Sequence, residues 1–213
     1  MTDSHADGPR LLPELETPLF LRHKLAWMQR EARDCGLGFR KATLPTEIHE
    51  RLIRHFRANV ERFRVEADIE EIGSVQSGMI PSLVFEDKAF NAQLASDLQP
   101  FHEAWSGMRL QTSYCYGIRC YQRGTYLHNH VDRLPHIISS TICVDHALST
   151  RWPLHIEDSH GTVSQIDLEP GECVFYEGAR LAHGRPYPLD GDFYAGLFVH
   201  YQPADLAANS PGG

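Results

Sequence analysis

"SYCYGIRCYQRGTYLHNHVD", Ser113–Asp132, reads as two β-rich runs joined by the turn residues Gln122–Thr125. Strand alternation puts Arg119 and Tyr121 on one face of the first run. In the second it puts His128, His130 and Asp132 on one face. Six further runs follow in order: "HIISSTICV", "PLHIED", "TVSQIDL", "CVFYE", "RLAHG" and "DFYAGLFVHY". Turn signals at Pro170-Gly171 and Asp190-Gly191 punctuate them. Short strands at near-regular spacing predict a sandwich or barrel over 111–203 rather than a parallel sheet.

Upstream the pattern is helical. In "PLFLRHKLAWMQREARDCGLG" the apolar residues Leu21, Leu25 and Met28 recur at helical spacing, and Gly36 suits a C-cap. Pro45 and Glu47 fit the first turn of a second helix with an apolar stripe of Ile48, Leu52, Phe56, Val60 and Phe63. A third helix is expected near Lys88–Trp105, with Phe90, Leu94, Leu98 and Phe101 on one face. The expected class is therefore α+β, with a helical supporting region (18–110) packed on the β core (111–203). The ends, 1–17 and 204–213, are polar or small-residue segments expected to be disordered.

Composition narrows the function. Of 213 residues, 42% are hydrophobic and 23% charged, ordinary for a globular domain. No apolar run reaches 18 residues, and "MTDSHADGPR" lacks a basic region followed by an apolar one. These features predict a cytoplasmic chain without a membrane partner. The net charge of −8, without a basic block, argues against nucleic acid as the partner. Five cysteines without a CxxC pair predict reduced thiols. No GxSxG elbow, phosphate-binding GxxxxGK[ST] loop or HExxH helix occurs.

Histidine is abundant, at 13 residues, so roughly one His-x-Asp triplet is expected by chance. One occurs at His5-Ala-Asp7, in the polar start. His130-Val131-Asp132 differs in context. It closes a strand that opens into a turn, and His183 lies near the end of a later strand, in "EGARLAHGRP". Two imidazoles and one carboxylate are the donor set of non-haem Fe(II) oxygenases, which leaves three metal positions open.

Residues from about Ser113 to Pro203 resemble the Fe(II)/2-oxoglutarate dioxygenase domain of the prolyl 4-hydroxylase-like superfamily. The resemblance rests on "CYQRGTYLHNHVD", "LEPGECVFYEGARLAHGR" and "YAGLFVHY". It implies a double-stranded β-helix (jelly-roll) with N-terminal supporting helices. It also implies Fe(II) held by His130, Asp132 and His183, with 2-oxoglutarate as cosubstrate and O2 as co-reactant. Tyr121 is similar to a tyrosine that lines the cosubstrate pocket. Related halogenases lack the carboxylate at the position of Asp132, so its presence implies hydroxylation of an unactivated C–H bond rather than halogenation, with desaturation and cyclisation left open. The implied substrate is an amino acid, a peptidyl residue or a small natural product.

The chain departs from the pattern at one point. Relatives carry Arg or Lys nine or ten residues beyond the distal histidine, where this chain has Asp192 and Phe193. A dicarboxylate needs a cationic partner, and a guanidinium binds it bidentately. Arg185 and Arg119 are the replacements; Arg185 is preferred because it sits two residues after His183. Arg133, Tyr126, His128, Trp152 and Tyr187 are expected to border the substrate pocket. Two alternatives remain. A cupin-like metal enzyme without 2-oxoglutarate would use His128, His130 and His183, although no glutamate stands at cupin spacing. A β-barrel binding module would use no iron. His155-Ile156-Glu157 is another ligand-type pair, without an obvious partner.

Overall fold

In the computed structural model, which describes residues 26–66 and 80–207, the β-rich half folds as two antiparallel sheets. With strands numbered in chain order, the larger sheet runs β1 (Phe39–Thr43), β10 (Glu172–Glu177), β7 (Ile138–Leu148), β12 (Gly191–Pro203), β5 (Ile118–Gln122), β3 (Leu83–Phe85) and β2 (Arg64–Val65). β4 (Leu110–Cys115) lies against the distal half of β12. The smaller sheet is β6 (Leu127–His130), β11 (His183–Arg185), β8 (Leu154–Glu157) and β9 (Val163–Ile166). From β5 the chain crosses repeatedly between sheets, an arrangement consistent with a jelly-roll.

Alternation assigns the two faces of the larger sheet to two cores. On β7, Ile138, Ile142 and Val144 join the outer core, and Cys143 the inner one. On β12, Ala195, Leu197, Val199 and Tyr201 face outward, while Tyr194 faces the smaller sheet. There it shares the inner core with Leu127, Leu154 and Ile156. Both faces of the central strands are covered, so they are almost continuously buried.

Helices cover the outer core. α1 (Thr46–Ala58) buries Ile48, Leu52 and Phe56; α2 (Lys88–Ser106) buries Leu94 and Leu98. α2 starts where Asp87 accepts a hydrogen bond from the Phe90 N–H at 3.1 Å and stops at Gly107, whose φ of 68° needs no Cβ. Two apolar positions differ from the sequence expectation. α1 ends at Ala58 and a 3-10 turn follows, leaving Val60 exposed while Phe63 returns to the core. On α2 it is His102, four residues after Leu98, that is buried, packed on Phe175 and Tyr201; Phe101 is exposed.

Region 18–110 also supplies strands β1, β2 and β3 to the larger sheet. They are short, and β1 carries exposed Arg40 and Lys41, so no clean alternation marks them. The run expected as one strand at Ser113–Tyr121 splits at Tyr116-Gly117 into β4 and β5, both lying along β12. The expected first helix is seen over 26–31, and the short helix α3 (Ala204–Ala207) follows β12. The expected tails fall largely outside the described residues. Among the described residues no helix is long and apolar enough to cross a membrane.

Leu98 is fully buried between α2 and the sheet. Leu98→Ala should lower unfolding stability by about 2–5 kcal/mol. Chemical denaturation with an unchanged m-value would read it; a loss under about 1 kcal/mol would contradict this packing.

Candidate metal centre

The pairing of β6 with β11 brings two histidines together. His130 lies opposite His183, and Leu127 opposite Arg185. Two residues of β6, His128 and Asn129, thus stand against one of β11, Gly184, which makes a bulge. The bulge breaks the alternation expected for this run. Leu127, in the inner core, and His130 both face β11's inward residues, and Asp132 lies beyond the strand end. Donor atoms of His130, Asp132 and His183 all lie within 4.8 Å of one another, a group that could hold one metal ion. His183 Nε2 is 3.7 Å from Asp132 Oδ1.

Backbone carbonyls set both rings. His130 Nδ1 lies 2.9 Å from the His128 carbonyl, and His183 Nδ1 lies 2.8 Å from the Leu181 carbonyl. A carbonyl can only accept, so each ring carries its proton at Nδ1 and presents the Nε2 lone pair. Burial and the neighbouring His183 push the His130 imidazole down to about 4, keeping it neutral and able to ligate. Burial alone would raise the Asp132 carboxyl; His200 and His183 outweigh it and hold Asp132 well below the ordinary carboxylate range.

Asp132 has a made seat. Its N–H donates to the Gly178 carbonyl at 2.8 Å, and Ser139 Oγ donates to Oδ2 at 2.8 Å. A Cβ on Gly178 would stand 2.1 Å from Oδ2 and 2.2 Å from Ser139 Oγ. On β11, a Cβ on Gly184 would meet the His128 carbonyl and Asn129 Oδ1, each at 2.8 Å. Glycine at these two places lets the strands close on the site.

Arg185 faces the same interior two residues beyond His183. It is 3% exposed, donates to the Trp152 carbonyl and, at 2.8 Å, to Tyr194 Oη. Its guanidinium lies 4.7 Å over the Trp152 ring and 4.4 Å over Tyr194. No carboxylate among the described residues pairs with it. Tyr121 is buried beside this group; burial pushes its hydroxyl up to about 12, so it stays protonated.

Arg119 shares the inner face, as alternation predicts, but is already paired. Its Nε lies 3.0 and 3.1 Å from the Glu66 oxygens, and its Nη2 2.7 Å from Oε1. Trp152, expected at the pocket border, is 3% exposed; its ring lies in the inner core between the sheets, against the Arg185 guanidinium. Its indole N–H donates to the Tyr187 carbonyl at 2.7 Å. His128 stays out of the ligand group; its ring meets Tyr126 edge-on at 5.3 Å, and its carbonyl orients His130. Arg133 is exposed on the turn after Asp132. His155 pairs with Gly184 on β11, and neither it nor Glu157 joins the group.

Sequence reading missed Glu66, Ser139, Gly178, Tyr194 and His200. Alternation along "HIISSTICV" places Ser139 opposite to the outward Ile138, and "YEGAR" holds Gly178; Glu66 has no local signal.

No protein-family model matches the chain, and no curated protein matches it. Solved structures do. A Trichoplax adhaerens prolyl hydroxylase, in complex with a hypoxia inducible factor oxygen degradation domain peptide fragment, aligns with a TM-score of 0.60 at 10% identity, over 93% of this chain and 100% of its own. The non-heme alpha ketoglutarate dependent epimerase SnoN from nogalamycin biosynthesis aligns at 0.60 and 11%, over 85% and 82%. HygX from Streptomyces hygroscopicus, with nickel, 2-oxoglutarate and hygromycin B bound, aligns at 0.55 and 12%, over 85% and 87%. At these identities the likeness is one of fold.

Two outcomes follow from the geometry. Gly178→Ala should cost about tenfold or more in Mn(II) affinity with the fold kept, since Asp132 must leave its seat; an unchanged titration would contradict the seat. His102, His130 and His136 are each pushed from 6.5 down to about 4, mainly by burial. The unfolded chain takes up these protons first. Metal-free protein should hold its stability above about pH 6.5 and lose it progressively toward about pH 4. Denaturation curves across that window check it; a flat profile would contradict it.

Proposed function

We propose that the protein is a non-haem Fe(II)/2-oxoglutarate-dependent dioxygenase built on a double-stranded β-helix, with 111–203 as its core. The carrying observation is the placement, two residues apart on β11, of one member of a His-Asp-His donor group and a buried arginine that has no carboxylate partner among the described residues. A guanidinium taken out of water without an anion is costly, so such a site is suited to an anionic ligand. The donor set fits Fe(II): two imidazoles with Nδ1 engaged by backbone carbonyls and Nε2 turned to the site, and one ionised carboxylate.

Iron of this kind, with 2-oxoglutarate and dioxygen, supplies the oxidising power for an unactivated C–H bond. The chain's residues supply the rest. His130, Asp132 and His183 hold the ion. Arg185 takes the far carboxylate of 2-oxoglutarate, a role that relatives give to the last strand. Tyr121, a protonated phenol in the same chamber, offers a hydroxyl donor. Trp152 and Tyr194 exclude water and cover the guanidinium faces. Arg119 is kept from competing by Glu66.

The substrate proposed is an amino acid, a peptidyl residue or a small natural product, and the reaction a hydroxylation. Support comes from the range of the structural neighbours, whose descriptions name a peptide fragment and hygromycin B. Arg133, Tyr126 and His128 are the proposed substrate-side residues. A cupin-like reading is less well supported, because His128 stands outside the donor group. A location in the cytoplasm is part of the same proposal.

Anaerobic addition of Fe(II) and 2-oxoglutarate should produce a visible charge-transfer band, lost in His130→Ala and kept in His128→Ala. No band at saturating concentrations would sink the proposal. Arg185→Met should weaken 2-oxoglutarate binding on the order of 10–100-fold while leaving the ligand-free protein as stable as the parent or more so, because an unpaired buried charge is removed. Unchanged affinity in Arg185→Met, with loss in Arg119→Met, would move the anchor to Arg119.

A further inference from the structure

Asp132 divides its two oxygens between two neighbourhoods. Oδ1 lies 3.7 Å from His183 Nε2, on the ligand side. Oδ2 turns into a buried polar row, 2.8 Å from Ser139 Oγ and 3.4 Å from His200 Nδ1. Ser139 Oγ and His200 Nδ1 are themselves 2.8 Å apart. Sheet register assembles the row: Tyr176 pairs with Ser139, Ser139 with His200, and His200 with Tyr114. A hydroxyl has one proton. Ser139 gives its proton to the carboxylate, so it accepts one from His200, which fixes the His200 proton at Nδ1.

The His200 ring is locked in turn. His136 stacks on it with centroids 4.5 Å apart at 22°, and Tyr116 meets it edge-on at 5.3 Å. His136 is tied to Ser113 Oγ at 2.6 Å. Oδ2 therefore cannot swing toward the ligand side without breaking its hydrogen bond from Ser139 and drawing away from His200 Nδ1, in a buried site.

We propose that His200, acting through Ser139, is a positioning residue that holds Asp132 as a one-oxygen ligand and so keeps three metal positions open. The inference rests on the Fe(II)/2-oxoglutarate reading. Two imidazoles and one carboxylate oxygen leave three positions of six. Were Oδ2 to join, two would remain, too few for a chelating keto acid together with dioxygen. His200 touches neither metal nor cosubstrate in this role.

The test uses the full chain loaded with Mn(II), with bound waters counted by water-proton relaxation and 2-oxoglutarate titrated separately. The parent should carry roughly three exchangeable waters. His200→Leu should carry about one fewer, keep its Mn(II), and bind 2-oxoglutarate about tenfold more weakly. His200→Asn, whose amide N–H can take the place of Nδ1–H, should restore both values. Ser139→Ala removes a single oxygen and should reproduce the loss if His200→Leu does not fold. Parent-like hydration and affinity in His200→Leu or, where that variant does not fold, in Ser139→Ala would overturn the proposal. So would a folded His200→Leu that binds no Mn(II), or a His200→Asn that fails to rescue. A parent that takes up no Mn(II) would instead overturn the metal reading, and this inference with it.

Discussion

Two imidazoles can serve one ion only if both rings aim a lone pair at the same point. Here the one-residue bulge in β6 sets that condition, by bringing His130 level with His183 on β11. The carbonyls of His128 and Leu181 then fix both rings with Nε2 free. Asp132 follows because β6 ends at His130 and its backbone is caught by Gly178, just past β10 of the larger sheet. Without the bulge, His128 would share a face with His130 and the donor set would change. The pairing of a four-stranded sheet thus decides the chemistry open to the site.

The larger sheet supplies the rigidity that this needs. Its outer face is buried by α1 and α2, and its inner face carries Tyr121, Ser139, Tyr176, Tyr194 and His200 toward the donor group or the Arg185 chamber. Side chains on strands buried on both faces have few alternative rotamers, so polar contacts can be held within a few tenths of an ångström. Glu177, beside Gly178, also accepts the N–H groups of Cys35, Leu37 and Gly38 at 2.7–2.9 Å. The upstream segment is thereby fastened next to the site.

Much of this was legible in the sequence. Period-two runs from Gln111 onward marked the strands, and the order His130, Asp132, His183 marked the donor group. Helical stripes at Leu52 and Leu98 marked the covering layer. What was not legible depended on pairing. Strands as short as Arg64–Val65 carry no periodic signal, and a bulge is visible only once a partner strand is known. Along the chain only nearness to His183 favoured Arg185 over Arg119; the Glu66 partner, contributed from just beyond a distant edge strand, separates them. Ser139 and His200 became interpretable only through register, since 61 positions separate two atoms 2.8 Å apart.

The central claim is that one cavity holds both a metal at His130, Asp132 and His183 and a dicarboxylate on Arg185. A crystal structure of the protein soaked with Mn(II) and 2-oxoglutarate tests it most directly. The account predicts anomalous density for manganese at the three donors, with the keto-acid end of 2-oxoglutarate on the metal and its far carboxylate forked by the Arg185 guanidinium. Manganese elsewhere, or 2-oxoglutarate anchored on Arg119 with Arg185 still facing only Trp152 and Tyr194, would contradict it.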